Sequence, residues 1–152
     1  THLGTLKALA ARYPERDKAH ILADLVEAHP GSQGKWFAAA KSAGLLDVAL
    51  ELARSSPTDP RTLARAARDF ASKQPAFALE VGLLALGWMA RGYGYEIAAA
   101  DVAMAWDACL AAGKAHGLAP ERVCDLALAL CDGESGAERF VRSGIRLRAG
   151  AG

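Results

Sequence analysis

The chain has 152 residues, of which 52% are hydrophobic and 23% are charged, and its formal net charge at pH 7 is +1. This composition excludes an intrinsically disordered chain, and the near-zero charge provides no overall attraction to nucleic acid or acidic membranes. The length fits one domain, and since the sequence lacks an initiator methionine we expect residues 1–152 to be a domain of a longer protein.

Signals for the start and end of helices follow one another along the chain, whereas alternating strand patterns are nearly absent. Prolines mark possible helix starts because a first-turn proline loses no hydrogen bond, and they are Pro14, Pro60, Pro75 and Pro120. Glycines mark possible left-handed helix ends, and they are Gly44, Gly92 and Gly117. Together these signals predict nine helices, near 3–12, 15–28, 33–43, 45–55, 60–72, 76–91, 98–116, 120–132 and 135–147.

Short connections predict that successive helices pack as antiparallel hairpins. The predicted pairs are 3–28, 33–55, 60–91 and 98–132, and the last helix is expected to cover the apolar face of the fourth pair. We therefore predict an all-α fold of about nine helices, stacked as a short right-handed α-solenoid with a C-terminal capping helix.

The longest apolar run, Pro75 to Ala90, is shorter than a membrane-spanning helix and contains Glu80, so it is predicted to be a buried core helix. Large apolar residues at helical spacing are expected to be buried between the hairpins. They are Trp36, Phe70, Phe77, Leu83, Leu86 and Trp106.

The segment WFAAAKSAGLLDVALELARSSPTDP, residues 36–60, resembles a tetratricopeptide-type helical repeat. Trp36 opens a helix, Gly44 makes the turn, and Ala49 falls at the small position of the second helix. In the next unit Leu79 stands where this pattern has a small residue. The resemblance implies a scaffold for protein contacts that has no chemistry of its own.

The segment HPGSQGKW, residues 29–36, contains the Gly-Lys pair of a phosphate-binding loop but not its other requirements. His29 stands where that loop needs its first glycine, and Trp36 stands where it needs a serine or threonine. We therefore expect a turn between helices, with Trp36 packed into the core.

The three cysteines indicate neither a disulfide framework nor a metal site. Their odd number and alanine-rich surroundings favour a reducing compartment. We expect the chain to belong to a bacterial-type cytoplasmic protein. Cys124 and Cys131 are seven residues apart, about 10.5 Å along a helix, which is too far for both to bind one zinc ion. Contact between two helices could still bring one ligand from each together, but buried structural cysteines are favoured, and no metal or cofactor is expected.

The four histidines are scattered and have no nucleophile or base motif around them. His20 lies near an apolar stripe and is expected to be a core histidine rather than a general base. We therefore expect that the chain is not an enzyme.

Two sets of arginines stand out. Arg61, Arg65 and Arg68 lie on one face of the 60–72 helix, and a second set near the end consists of Arg139, Arg142, Arg146 and Arg148. Clustered guanidinium groups can bind carboxylates or phosphates, although a solvated outer face is the commoner role of such a row.

The stretch Gly92-Tyr93-Gly94-Tyr95 interrupts two long apolar helices. A turn that reverses the chain is favoured, with one tyrosine folded back on the core and the other exposed. The alternative is a binding loop that presents Tyr93 and Tyr95 to a ligand.

The sequence thus favours a non-catalytic module for protein–protein interaction or scaffolding, whose partner is a protein or an acidic peptide. The predicted partner-binding residues are Arg61, Arg65, Arg68, Tyr93 and Tyr95. The alternative is a nucleic-acid-binding helical array that uses the arginine-rich faces, and a steep loss of binding with salt would identify it.

Overall fold

The computed structural model describes the backbone of residues 1–151 and the side chains of residues 1–150. These residues form nine α-helices and two short 3₁₀ turns (Gln33–Trp36 and Ala129–Cys131), without a strand, which confirms the all-α class. The helices are α1 (His2–Arg12), α2 (Lys18–Glu27), α3 (Phe37–Ser42), α4 (Leu46–Ser55), α5 (Pro60–Phe70), α6 (Pro75–Ala90), α7 (Ala99–Ala115), α8 (Pro120–Leu128) and α9 (Gly136–Ala151).

Helix starts follow the capping residues. The carboxylate of Asp59 accepts a hydrogen bond of 3.2 Å from the Thr62 N–H, and Pro60 opens α5 as predicted. The predicted start at Pro14 is wrong, because the side chain of Asp17 accepts a hydrogen bond from the Ala19 N–H and starts α2 at residue 18.

Helix ends follow the glycines. Gly44, Gly92 and Gly117 have positive φ angles of 79°, 90° and 85°. After each glycine, the next N–H donates to a carbonyl five residues back, as from Tyr93 to Trp88. This is the Schellman arrangement, and it confirms the predicted left-handed caps.

The chain divides into two compact units, residues 1–58 and the residues from 59 onward. In the first unit α1 packs against α2 and α3, and α3 packs against α4. Alanines at positions 39, 40 and 49 are fully buried here, as the small positions of the repeat-like segment require. The 29–36 segment is the predicted turn: Trp36 is buried, and Gly34 N–H donates a 2.7 Å hydrogen bond to the Ser56 hydroxyl.

The second unit is built around α6, which is apolar on almost its whole circumference. It contacts α5, α7, α8 and α9, which together bury most of its surface. The last helix, α9, packs on α7 and α8 as predicted, and also on α6.

Within the described residues, no helix combines the length and the apolar character that crossing a bilayer requires.

At Gly82, α6 lies close to both α5 and α7. A methyl group added there would lie 2.7 Å from the Cys109 sulfur on α7 and 3.4 Å from the Ala67 Cβ on α5. Glycine inside a helix costs about 1 kcal/mol relative to alanine, so its use here is explained by this packing. Leu79, which stands where the repeat pattern has a small residue, lies one turn before Gly82 and is buried.

Of the predicted core residues, Trp36, Phe77, Leu86 and Trp106 are buried. Phe70 and Leu83 are only half-buried, so the prediction was wrong for these two. Phe70 is the last residue of α5, and its ring packs edge-on against Phe77 with the centroids 5.3 Å apart. Leu83 and its neighbour Leu84 are both half-buried, so they lie on the less completely covered side of α6.

Truncation of Phe77 to alanine is expected to lower the free energy of unfolding by about 3–5 kcal/mol, because the lost ring leaves a cavity between α6 and Phe70 of α5. Urea denaturation of the two proteins measures this. Leu147, which is 78% exposed, is the control: Leu147→Ala should stay within about 0.5 kcal/mol of wild type. Similar losses for both variants would contradict the described packing.

Candidate functional site

Arg61, the first of the predicted binding arginines, is half-buried and is hydrogen-bonded to groups of the chain itself. Its Nε and Nη2 donate to the two carboxylate oxygens of Asp101 at 2.8 and 3.0 Å. Its Nη1 also donates to the Tyr95 carbonyl at 2.6 Å, and its Nη2 to the Glu96 carbonyl at 3.0 Å. The guanidinium is therefore used on several sides to hold the α6–α7 connection against α5.

The Asp101 carboxylate has a second role at the start of α7. One of its oxygens accepts a 2.8 Å hydrogen bond from the Ala98 N–H, which has no helical partner. The hydrogen bond from Arg61, together with that from Ala98, holds the pKa of Asp101 below its ordinary value. Asp101 is therefore ionised in the folded state, and its charge is compensated by Arg61.

The α6–α7 connection is a turn with an unusual backbone. Gly94 has a φ of 106°, and an added Cβ would lie 2.6 Å from the Ile97 side chain and 3.3 Å from Pro60. Glu96 also has a positive φ, of 47°, which non-glycine residues rarely adopt. The predicted turn is confirmed, while the alternative of a binding loop stays a prediction.

The two tyrosines of this turn differ in exposure. Tyr93 is 45% exposed and packs edge-on against Trp88, with 5.4 Å between the ring centroids. Tyr95 is 78% exposed. Tyr93 therefore contacts a core tryptophan while remaining exposed, and Tyr95 faces solvent.

The other two arginines of α5 are exposed. A guanidinium nitrogen of Arg65 lies 3.4 Å from the Thr62 hydroxyl, and Arg68 Nε lies 3.1 Å from the Asp69 carboxylate. The predicted row is thus split, with Arg61 engaged in the fold and Arg65 and Arg68 on the surface.

The C-terminal arginine set is also divided. Arg142 donates to the carbonyls of Cys131 and Gly133 at 2.8 and 2.7 Å and fixes the turn before α9. Arg148 makes a two-point ion pair with Asp107 on α7, at 3.1 and 2.7 Å. Two of the four arginines therefore have internal roles that the sequence pattern did not reveal.

A groove of about 840 Å³ opens on the second unit between α7, α8 and the end of α9. Its surface is largely apolar, with charged residues among the lining. It is formed by Trp106, Leu110, Ala111, Lys114, Leu118, Pro120, Glu121, Cys124, Asp125, Arg148 and Ala149. We call this surface the α7–α8–α9 groove. It was not predicted from the sequence, although Leu110 and Lys114 are one turn apart and therefore lie on the same side of α7.

Some charged side chains around the α7–α8–α9 groove have an ion-pair partner and others do not. Glu121 and Asp125, one turn apart on α8, are exposed and have no hydrogen-bond or ion-pair partner among the described residues. Lys114, near the end of α7, is likewise exposed and unpaired within the described part of the chain. Arg148, in contrast, is neutralised by Asp107.

A smaller groove of about 440 Å³ continues along α7 and shares Ala111 and Arg148 with the first. Four alanines of α7, at positions 100, 103, 108 and 111, contribute to its lining. The outer face of α7 is therefore open on both sides of the Arg148–Asp107 pair, with small residues at its surface.

The cysteines and histidines do not form a metal-binding cluster within residues 1–150. No three of the cysteine, histidine or acidic side chains described there come together as metal ligands. His20 is 79% exposed and lies 3.9 Å from Asp17, so the prediction of a core histidine is wrong. Residue 20 lies outside the apolar stripe of α2. The buried residues of that stripe are its neighbours Ile21 and Leu22.

Comparisons with protein-family models, curated proteins and solved structures find no match to this chain. The functional interpretation therefore rests on the site itself.

The charge of Asp101 is expected to make stability depend on pH. Because its folded-state pKa is lowered, its contribution is complete above the ordinary aspartate pKa and is lost as the pH falls through the folded value. Asp101→Asn should lower the urea midpoint at neutral pH and flatten the decline in acid. Asp47→Asn, an exposed aspartate on α4, is the control. Equal acid dependence in wild type and Asp101→Asn would contradict the described pair.

The cysteines should differ in their reaction with a thiol reagent. Burial raises the pKa of Cys109 to about 12 and also raises the pKa of Cys131, while Cys124 is half-buried in the groove. Ellman's reagent should modify one thiol per chain rapidly in the folded protein, and all three after denaturation. Loss of the rapid phase in Cys124→Ser would identify that thiol, and a rapid phase that persists would contradict the assignment.

Proposed function

We propose that this chain is a non-catalytic protein-binding module, similar in plan to a tetratricopeptide-like helical repeat. Its binding surface in this proposal is the α7–α8–α9 groove, which takes a segment of a partner protein. The observation that carries the proposal is the open groove of about 840 Å³ with a largely apolar surface. Exposed apolar grooves with a polar rim are typical of ligand and partner sites.

The composition of the groove favours a protein segment over a substrate. Its inner wall contains Trp106 and Leu110, and its rim contains charged groups, in the manner of a protein interface. Histidine is absent from the lining, so Cys124 has no imidazole base beside it in the groove. These features support a binding role without a chemical step.

The internal use of several arginines argues against the nucleic-acid alternative. Phosphate binding needs guanidinium groups that are free to face the backbone of the polymer. Arg61, Arg142 and Arg148 donate instead to partners within the chain. The acidic-peptide surface predicted on α5 is also reduced, because only Arg65 and Arg68 remain exposed there.

A peptide library displayed on phage tests the proposal. Peptides selected on the wild-type chain should bind Ala111→Glu at least about tenfold more weakly, a change of about 1.4 kcal/mol. Ala111 is exposed and lines the groove, so a glutamate there places a charge on its apolar surface. The matched control is Ala115→Glu, an exposed alanine of the same helix that does not line the groove. Unchanged melting temperatures would show that both variants are folded.

Two results would overturn the proposal. One is that the selected peptides bind Ala111→Glu and wild type equally. The other is that no peptide is enriched while a single-stranded oligonucleotide binds with an affinity that falls steeply as salt rises, in which case the nucleic-acid alternative replaces it.

A further inference from the structure

Building on the proposed function, we infer that the α7–α8–α9 groove selects an amphipathic helix that carries basic residues along the flank facing α8. This ligand has the opposite charge to the acidic peptide that the α5 arginines suggest. The inference rests on the distribution of unpaired charge around the groove and on the shape of the α7 face.

The acidic edge of the groove is formed by α8. Glu121 and Asp125 are one helical turn apart, so their carboxylates lie on the same face of α8. Both are exposed and lack a partner among the described residues, so neither must give up an internal ion pair to meet a ligand. A ligand with lysine or arginine residues one turn apart would match this edge.

The basic side chains of the groove do not neutralise the negative charge of this edge. Arg148 already forms its two-point pair with Asp107. Lys114 leaves one unpaired positive charge against the two carboxylates of α8. The unpaired charge around the groove is therefore two negative and one positive, a net charge of −1, with both acids on one edge.

The face of α7 suits a helical ligand. Its exposed positions extend from Ala100 to Lys114, about 21 Å at 1.5 Å per residue or about four helical turns, with the Arg148–Asp107 pair between the two grooves. Small residues such as Ala103 and Ala111 allow another helix to approach closely, and Leu110 and Leu118 provide apolar contacts. An apolar stripe at i, i+3, i+4 and i+7 on the ligand would fit this surface.

Three synthetic peptides of about 18 residues test the inference, a length that gives about five helical turns. They share one leucine stripe and differ only on one flank, which carries lysine, glutamine or glutamate. Fluorescence anisotropy with wild-type protein should show the lysine peptide binding at least about tenfold more tightly than the glutamate peptide at low salt. This ratio should shrink at moderate salt, because exposed charges are screened.

The double variant Glu121→Gln/Asp125→Asn should bind the lysine peptide no better than the glutamine peptide. The matched control is Asp47→Asn/Glu51→Gln, which removes two exposed acids one turn apart on α4 and should keep the preference. The lysine peptide should also slow the reaction of Cys124 with Ellman's reagent, because Cys124 lies between the two acids and lines the groove.

The possible failures are distinguishable. Peptides that bind in the groove, as shown by their sensitivity to Ala111→Glu, but without a preference for flank charge would overturn only this inference. The same holds if the preference survives in the double variant. Absence of any groove-dependent peptide binding would overturn the proposed function as well.

Discussion

The second unit depends on one constraint, which is that α6 is apolar on nearly all sides and must be largely covered. Four helices cover most of it, and Gly82 allows α5 and α7 to approach closely. Because α7 uses its inner face against α6, and α9 packs on α7 near Val102 and pairs with it through Arg148 and Asp107, part of the outer face of α7 stays open. The groove is thus a consequence of how the central helix is buried.

The arginines show how position within the fold decides the role of a charged side chain. Arg61 and Arg65 are one turn apart on α5, but only Arg61 reaches a carboxylate and two free carbonyls. A guanidinium that is hydrogen-bonded to groups of its own chain stabilises the structure around it. An exposed guanidinium contributes little to folding and is available to partners. Exposed charge therefore remains on α5, in Arg65 and Arg68, and on α8, in Glu121 and Asp125, and of these only the two acids line the groove.

The features that could be predicted from the sequence are those determined by nearby residues. Capping by Asp59, the glycine caps and the apolar character of α6 depend on contacts within a few positions, and the helices were found close to their true bounds. The bidentate pair of Arg61 joins residues 40 positions apart, and that of Arg148 joins residues 41 apart. Such pairs, and the groove that forms where α9 meets α7, depend on the packing of whole helices, which local patterns do not specify.

The hydrogen bonds of Arg61 also have a consequence for local opening of the chain. Connections between helices usually fray independently of the elements they join. Here the carbonyls of Tyr95 and Glu96, the first turn of α5 and the first turn of α7 are all bonded to one guanidinium, directly or through Asp101. These three segments should therefore form one cooperative unit in hydrogen exchange, with the amides at the start of α5 and α7 becoming accessible together.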